Sequence, residues 1–400
     1  MPKALFVHDH PFYHLNDVFY SPGRLTAANW ARYIDTGLVD ELTVVSRGIE
    51  ISSYQEGLVE SSCPSVVFSP IYNVKGGAGY LKHFFDIKRK LQENIERVDV
   101  VIIRAPSFFG SLAYICCKEV GKPYIVEVVG CAWESVWTHG SVAGKLIAPF
   151  LAVNTKLMVR NCDAVLYVTK EFLQERYQAN ARSVVSHASN VHIPDPLEKV
   201  LQQRLRKITN AIRNKLECRI GILADVSVKY KGYEVAIKAL YDLKARAPQL
   251  KFKFLIAGGG RSDYEKKIIK KYNLNDRVEL VGQLSSGKDV FDFLDMVDLY
   301  IQPSLTEGLP RSTIEAMSRG CPVLASSAGG IPELIESTFL HRPGDSHKLS
   351  RDIELVLTDS EKMIEMARAN FERSKEYTNE LLAKRRVGFY RAAFEEIFGS

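Results

Sequence analysis

Hydrophobic residues in the first half of the chain fall into short runs separated by segments with helical spacing. The runs at 98–103, 125–129 and 164–168 are rich in β-branched residues, which is typical of strands buried on both faces of a sheet. The segment 80–95 has the spacing of an amphipathic helix, with Phe85 among its apolar-side residues. Strands that alternate with helices predict a parallel sheet built from right-handed crossovers.

The alternation breaks at 193–196, where two prolines lie close together, and it begins again near residue 218. Prolines end regular structure, and the stretch that follows them is basic and helix-prone. The pattern predicts an α/β protein with two Rossmann-like domains that face each other across a cleft. Its parts are an N-terminal domain at 1–196, a linker at 197–217, a C-terminal domain at 218–375, and a C-terminal helix at 376–400 that packs back towards the first domain.

Charge and composition narrow the choice of partners. Residues 1–200 carry equal numbers of acidic and basic side chains, so the net charge of +6 arises in the second half. An excess of this size suits an anionic small ligand or an anionic membrane surface, and it is too diffuse for nucleic acid. No apolar run is long enough to span a bilayer. The seven cysteines have no regular spacing and form no Cys-x-x-Cys pair, which indicates reduced cytosolic thiols. We therefore expect a cytoplasmic protein, either soluble or peripheral on the inner face of the membrane.

The segment with the most chemical content is Glu307-Gly-Leu-Pro-Arg-Ser-Thr-Ile-Glu315, which follows a predicted strand at 299–301. Pro310 suits the first turn of a helix. A helix that begins there leaves the backbone N–H groups of Gly308 and Leu309 free to bind phosphate. The two glutamates would lie about 12 Å apart along a helix axis. They can therefore contact two different parts of a long ligand, and carboxylates are good acceptors for sugar hydroxyls.

A second interpretation of these residues is purely structural. Ser312-Thr-Ile-Glu315 has the spacing of a capping box, in which Glu315 would only bond the backbone of Ser312. That spacing taken alone favours the capping box, and the surrounding segments favour a ligand site.

The motif and four further segments resemble the retaining glycosyltransferases of family 4, which have the GT-B fold and a Glu-x7-Glu motif. The four segments are Gly221-Ile-Leu with Lys229-Tyr-Lys231-Gly232, Leu255-Ile-Ala-Gly258-Gly-Gly260, Arg277-Val-Glu-Leu-Val281-Gly282 and Asp298-Leu-Tyr-Ile-Gln-Pro303-Ser304. The resemblance is close over residues 218–340 and loose before them.

The resemblance implies transfer of a sugar from a nucleotide diphosphate sugar to a glycan or lipid-linked acceptor, as in the synthesis of surface polysaccharides or glycoconjugates. Glu307, which would hold the transferred sugar, and Lys231, which would neutralise the distal phosphate, are the implied catalytic residues. Glu315 would hold the ribose. No cofactor or metal ion is expected, because positive side chains and a helix end take the place of a metal. The implied donor-binding residues are Gly23, Lys229, Lys231, Gly258, Val281, Glu307, Gly308, Leu309, Pro310 and Glu315.

One position departs from the family's pattern. Ile222 stands where members often have an arginine that clamps phosphate. Lys229 could supply the missing charge, or it could be a solvated surface lysine. The residues leave these two interpretations even.

Candidates for the acceptor side lie in the first half. Trp133, Glu134 and His139 follow a predicted strand and combine aromatic with polar groups, which suits a sugar; packing of the tryptophan in the core is the alternative. Arg24 joins them because it adjoins Gly23. The basic amphipathic segment 80–90 could lie on an anionic membrane, although such a helix more often has one buried and one solvated face.

Other classes of function are also compatible with the pattern. The histidines at positions 8, 10 and 14 have no carboxylate pair at metal-ligand spacing, so no metal site is predicted. A nucleotide-sugar epimerase or hydrolase of the same architecture, and a non-catalytic nucleotide-sugar binding protein, are the rival hypotheses. The presence of Glu307, Glu315 and Lys231 argues against the second rival.

Overall fold

The chain folds into two compact units, one of residues 1–188 with 383–400 and one of residues 189–382. The structure is a computed structural model that describes residues 2–23, 25–34, 37–74, 79–80, 82–137, 142–214, 216–285 and 287–399, with the backbone alone at 142–146, 212 and 213. Each unit contains a largely parallel sheet with helices between its strands. The predicted α/β class with two Rossmann-like domains is therefore confirmed.

The first unit is a parallel sheet with a small antiparallel extension. Its strands are β1 (Lys3–Leu15), β2 (Val18–Ser21), β3 (Glu41–Glu50), β4 (Val59–Glu60), β5 (Val66–Tyr72), β6 (Val100–Ala105), β7 (Tyr124–Val128), β8 (Ala164–Tyr167) and β9 (Val184–His187). Its helices are α1 (Ala27–Ile34), α2 (Phe84–Glu96), α3 (Phe108–Val120), α4 (Ala132–Trp137), α5 (Val142–Arg160) and α6 (Phe172–Arg176). The parallel order is β5-β3-β1-β6-β7-β8-β9, and β2 and β4 add antiparallel pairs beside β1. Every residue of β6, β7 and β8 is buried, which accounts for their apolar runs.

The first strand is longer than its apolar core suggests. Its register against β3 shifts between Val7 and Pro11, and pairing then continues to His14. The histidines at positions 8, 10 and 14 therefore lie within an extended strand.

Helix α2 presents one aromatic ring to solvent. It buries Ile87, Leu91 and Ile95, which repeat every four positions along one face. Phe85 lies off that face and is 83% exposed. Its predicted place on the apolar side is therefore wrong, because two positions along a helix turn a side chain by more than half a revolution.

A buried carboxylate ties the last helix, α14 (Asn379–Phe398), into the first unit. Glu127 on β7 accepts hydrogen bonds from the hydroxyls of Tyr33 at 2.8 Å and Tyr390 at 2.6 Å, and Arg104 pairs with it at 2.7 Å. Burial alone would raise the pKa of Glu127, but the charges of Arg104 and Arg32 and the tyrosine hydrogen bonds lower that pKa to about 2. The carboxylate thus stays ionised inside the unit.

The second unit has the strand order of a doubly wound Rossmann sheet. Its strands are β10 (Cys218–Leu223), β11 (Phe252–Ala257), β12 (Val278–Gly282), β13 (Leu299–Gln302), β14 (Val323–Ser326) and β15 (Leu340–His341). Its helices are α7 (Glu198–Arg213), α8 (Tyr233–Arg246), α9 (Asp263–Lys271), α10 (Lys288–Met296), α11 (Arg311–Ser318), α12 (Ser346–Thr358) and α13 (Ser360–Ser374). The order β12-β11-β10-β13-β14-β15 reverses direction at β10, where such folds bind ligands beyond the carboxyl ends of the strands.

The segment predicted as a linker at 197–217 instead carries a packed helix of the second unit. Helix α7 buries Leu201, Leu205 and Ile208 in that unit's core, and this spacing places them on one face. Arg204 on the same helix donates to the carbonyl oxygens of Leu294 and Val297. Sequence analysis missed this packing because most residues of α7 are polar and its apolar stripe is narrow. None of the helices in the described ranges is long and apolar enough to cross a membrane.

We predict that Glu127→Gln lowers the free energy of unfolding of the first unit by roughly 3–5 kcal/mol, because Arg104 is left buried without its counter-charge. The pKa of Glu127 is lowered from 4.5 to about 2 on folding, so the wild-type advantage should be complete above pH 4.5 and should disappear as the pH falls towards 2. Urea unfolding followed by tryptophan fluorescence measures this unit, since Trp30, Trp133 and Trp137 all lie within it.

The matched control is Glu119→Gln, which breaks a partly exposed ion pair with Lys88. Such pairs contribute at most about 1 kcal/mol. Equal destabilisation by the two substitutions, at every pH, would contradict the proposed role of Glu127.

Candidate active site

Two loops meet beyond the carboxyl ends of the neighbouring strands β10 and β13. After β10, residues 229–231 form a short 3-10 turn that ends at Gly232 with a φ of 78°. A Cβ atom at position 232 would lie 2.0 Å from the carbonyl oxygen of Pro303, so only glycine allows this contact. The backbone N–H of Leu305 donates to the carbonyl oxygen of Tyr230 at 2.7 Å. The turn is therefore fixed against the loop that carries Glu307.

The carboxylate of Glu307 is held through a single oxygen. Its Oε1 lies 2.7 Å from Nζ of Lys231, 2.8 Å from Oγ of Ser304 and 3.0 Å from Nε2 of Gln302. The side chains of Glu307 and Lys231 are 7% and 19% exposed, so the pair is largely shielded from water. No donor in the described part of the chain bonds Oε2 of Glu307. Oε1 is thus occupied internally, and Oε2 is available to a ligand hydroxyl.

A second glycine contact fixes the backbone of Glu307 from another side. Gly329 has a φ of 59°, and a Cβ atom there would lie 1.9 Å from the carbonyl oxygen of Glu307. The backbone N–H of Gly330 donates to the carbonyl oxygen of Gly308 at 2.7 Å. The loop after β14 therefore packs against the backbone of the Glu307 loop and holds it in place.

The second glutamate of the motif has no such support. Helix α11 begins at Arg311 with Pro310 as its N-cap, and no side chain caps it. The capping-box interpretation is therefore wrong, because Ser312 already lies within the helix. No hydrogen bond reaches the carboxylate of Glu315 from the described residues. Burial raises the pKa of this carboxyl, and the charge of Arg311 only partly opposes the rise.

Backbone donors lie between the two glutamates. The N–H groups of Gly308 and Leu309 have no acceptor within the described ranges and immediately precede the first turn of α11. Free N–H groups at a helix N-terminus attract anions. The loop thus offers two backbone donors directly after the paired carboxylate of Glu307 and ahead of Glu315 in the chain.

The remaining predicted residues of this unit lie around the same sheet edge. A Cβ atom at Gly258 would lie 1.7 Å from the carbonyl oxygen of Ala224, so glycine is required where β11 passes the loop after β10. Val281 is a partly buried residue of β12. Lys229 is exposed, with Nζ 4.6 Å from the centroid of the Tyr264 ring. Lys229 therefore agrees in part with the interpretation as a surface lysine. Among the described residues, no hydrogen bond or ion pair links it to the pair of Lys231 and Glu307.

Sequence analysis missed Gln302 and Ser304 as functional positions. Gln302 is fully buried at the end of β13, accepts from the hydroxyl of Tyr300 at 2.9 Å and donates to Ser304 and Glu307. The available signal was a polar residue that ends an otherwise apolar strand. Ile222, where the family's arginine is absent, is fully buried in β10.

Comparisons with known proteins bear on what this site does. The family model "Glycosyl transferases group 1" matches residues 213–373, which include both glutamates and both lysines of the site. Protein CapJ of Staphylococcus aureus is 33% identical over 349 residues, which cover 87% of this chain and 85% of CapJ. The amylovoran biosynthesis glycosyltransferase AmsK of Erwinia amylovora is 34% identical over 170 residues, which cover 39% of this chain and 41% of AmsK.

The chain belongs to the group 1 glycosyltransferases. Its fold matches that of HepE from Anabaena, solved in complex with UDP and glucose, with a TM-score of 0.64 and 18% identity over 98% of this chain and 100% of HepE. This likeness confirms the GT-B fold that the sequence resemblance implied.

Fewer of the predicted site residues in the first unit of this glycosyltransferase lie within the part of the chain that the structure describes. Gly23 has a φ of 73°, and a Cβ atom there would meet no atom within 4 Å, so its surroundings are open. Two other predicted residues, Arg24 and His139, lie outside the described residues. Among the described residues, no group of three or more His, Cys, Asp or Glu could hold a metal ion.

The tryptophan and glutamate predicted for the acceptor side lie on the short helix α4. The ring of Trp133 stacks on that of Trp137 with centroids 5.0 Å apart. Trp133 is also partly exposed, so core packing does not describe it. Glu134 forms an ion pair with Arg176 at 2.9 Å.

We predict that the same substitution changes the free energy of unfolding differently at the two glutamates. Glu307→Gln should lower the free energy of unfolding by roughly 1–3 kcal/mol, because Lys231 loses its buried partner. Glu315→Gln should leave stability unchanged or raise it at pH 7, because an ionised carboxylate without a partner is removed. Urea unfolding followed by far-UV circular dichroism measures both variants.

The pH dependence separates the interpretations further. Because folding raises the pKa of Glu315 above 4.5, any gain from Glu315→Gln should vanish as the pH falls below that value. A loss of about 1 kcal/mol at pH 7, the usual contribution of a helix cap, would instead restore the capping role.

Proposed function

We propose that this group 1 glycosyltransferase moves a sugar from a nucleotide diphosphate sugar to a glycan or lipid-linked acceptor, with retention at the anomeric carbon and without a metal ion or cofactor. The observation that carries the proposal is the largely buried pair of Lys231 and Glu307, which the free N–H groups of Gly308 and Leu309 directly follow in the chain. The UDP bound to HepE supports the class of donor. The role of AmsK in amylovoran biosynthesis supports a product among surface polysaccharides or glycoconjugates.

The positive groups of the site act on the leaving diphosphate. Its negative charge grows as the glycosidic bond breaks, so Lys231 and the N–H groups of Gly308 and Leu309 stabilise the transition state more than the bound donor. These groups are held in place before the donor arrives, since Gly232 and Gly329 lock the two loops. In this proposal they perform the neutralisation that a metal ion performs in other transferases.

Glu307 positions the sugar. Lys231, Ser304 and Gln302 fix its Oε1, so Oε2 is left to accept a hydrogen bond from a sugar hydroxyl. A carboxylate held by three donors keeps one geometry, and fixed geometry is what places the anomeric carbon for attack. When the donor phosphate draws the ammonium group of Lys231 towards itself, Ser304 and Gln302 still hold Glu307.

Glu315 binds the ribose. Burial without a partner raises its pKa, so the empty site holds the carboxylate at an energetic disadvantage. Two ribose hydroxyls would donate to its oxygens and favour the charged form. Donor binding should therefore relieve an unfavourable state of the free enzyme, in addition to forming hydrogen bonds.

The other proposed contacts rest on the family resemblance. Lys229, Gly258, Val281 and Pro310 are the further donor-binding residues that the resemblance implies in the second unit, and Gly23 is the one that it implies in the first. Trp133, Glu134, Arg24 and His139 belong to the acceptor side.

The test of the proposed function is a panel of nucleotide diphosphate sugars with the full chain. The true donor should raise the melting temperature by mass action, and it should release nucleoside diphosphate much faster when acceptor is present. Turnover should persist in EDTA. Equal release without acceptor would indicate the hydrolase, and conversion of the sugar without release would indicate the epimerase. Activity lost in EDTA and restored by magnesium or manganese would contradict metal independence, and inversion of the product's anomeric configuration by NMR would contradict retention.

We predict that Lys231→Ala lowers kcat by roughly 100-fold, a typical loss for one preorganised transition-state donor. Affinity for the nucleoside diphosphate should fall as well, whereas affinity for the free nucleoside should not change, because a nucleoside has no phosphate to pair with the lysine. Steady-state kinetics and calorimetry with the two ligands provide the measurement.

Lys231→Arg is the rescue variant and Lys266→Ala the matched control. Arginine keeps the charge in a larger, planar group and should restore part of the activity. Lys266 is an exposed residue of α9, so its loss should leave kcat unchanged. Wild-type turnover in Lys231→Ala would exclude the phosphate role.

A further inference from the structure

The exposed face of α5 in the first unit is unusually apolar for a surface helix. Phe150, Val153 and Leu157 are 58%, 57% and 47% exposed. Their spacing of three and four positions places them on one stripe along the helix. The opposite face, which includes Leu151 and Met158, packs into the core of the unit. The outward stripe is therefore not required for folding.

The charges on this face all have the same sign. The exposed residues Lys156 and Arg160 lie on the stripe side of α5, and the helix contains no aspartate or glutamate. Neither Lys156 nor Arg160 has an ion-pair partner in the described ranges. An apolar stripe with only basic charges is the pattern of a helix that lies in a membrane interface.

A basic cavity adjoins the stripe. It has a volume of about 810 Å³ and is lined by Lys156, Arg160 and Arg176, with Asn161 and Gln178 and with Glu175 as its carboxylate. Arg176 is paired with Glu134, so Lys156 and Arg160 supply the positive charge that is not already paired. Basic side chains at the rim of an apolar face fit negatively charged lipid headgroups. The neighbouring helix α4, which packs on α5, adds the partly exposed Trp133, a residue type that is enriched at membrane interfaces.

We propose that this surface, which consists of the α5 stripe and the basic cavity, docks the protein on an anionic lipid bilayer. The apolar side chains enter the boundary between headgroups and acyl chains, and Lys156 and Arg160 pair with lipid phosphates. The surface lies entirely within the first unit and uses no residue of the donor site. Binding to vesicles needs neither donor nor acceptor, so its failure would leave the proposed reaction untouched.

The segment 80–90, for which the sequence left membrane contact open as an alternative, is largely carried by α2 and is a weaker match. Its Lys88 pairs with Glu119 at 2.6 Å, and its Arg89 pairs with Asp86 at 3.7 Å. Its exposed aromatic residue, Phe85, contacts the ring of Phe84, and the positions three and four residues after it hold the charged Lys88 and Arg89. The basic charge of α2 is thus largely neutralised, whereas that of α5 is not.

The experiment is co-sedimentation of the full chain with vesicles, either of phosphatidylcholine alone or of equal parts phosphatidylcholine and phosphatidylglycerol. The wild type should bind the mixed vesicles, and binding should weaken as salt is raised. Phe150→Glu, and separately the double variant Lys156→Glu/Arg160→Glu, should each weaken binding by roughly tenfold or more. Unchanged melting temperatures would show that both variants are folded.

The controls reproduce each change elsewhere. Leu355→Glu alters a leucine of the second unit that is also exposed, and Lys266→Glu/Lys267→Glu alters net charge by the same amount on α9. Both should bind vesicles like the wild type. The proposal would be overturned if a folded Phe150→Glu bound the vesicles like the wild type. It would also be overturned if Phe85→Glu were the one variant that lost binding. A dimer in solution that Phe150→Glu dissociates would overturn it too, because a second copy would then cover the stripe.

Discussion

The contact between Lys231 and Glu307 is the interaction on which the candidate site depends. It joins a turn after β10 to a loop after β13, although 76 positions separate the two residues. The contact requires two backbones to approach more closely than a side chain permits, and Gly232 and Gly329 make that approach possible. Ser304 and Gln302 then hold the carboxylate from within its own loop. The result is a preorganised pair in which one oxygen of Glu307 faces inward and the other is left for a substrate.

The two glutamates of the motif differ because their surroundings differ, not because of their spacing. Glu307 is paired and fixed by three donors, whereas Glu315 is half-buried on α11 with no hydrogen bond from the described residues. A structural carboxylate would normally be satisfied by its own protein. A carboxylate without a partner in the protein is the physical basis for the proposal that the two glutamates contact different parts of one donor.

The first unit uses its buried charge for a different purpose. Glu127 joins β6 and β7 to α1 and to Tyr390 of α14, which lies 263 positions later in the chain. A buried carboxylate satisfied by an arginine and two tyrosines fixes where α14 packs more specifically than apolar contacts would. The outward face of this unit, by contrast, has apolar and basic side chains that the fold does not use, and these are the side chains on which the proposed docking to an anionic bilayer rests.

The sequence by itself determined the alternation of strands and helices, the two Rossmann-like domains and the segment that carries the site, because burial on both faces and tight glycine turns restrict residue type locally. It did not determine which carboxylate is paired, since Ser312 and Glu315 fit a capping box until the start of α11 is known. The sequence also placed Phe85 on the buried side of α2 and assigned α7 to a linker. Which face of a helix is buried, and against what, is decided by the elements that pack around it. Periodicity reports the environment of a single element. The roles of Glu127 and Glu307 depend on contacts between elements that are distant in the chain, and only the tertiary structure decides those.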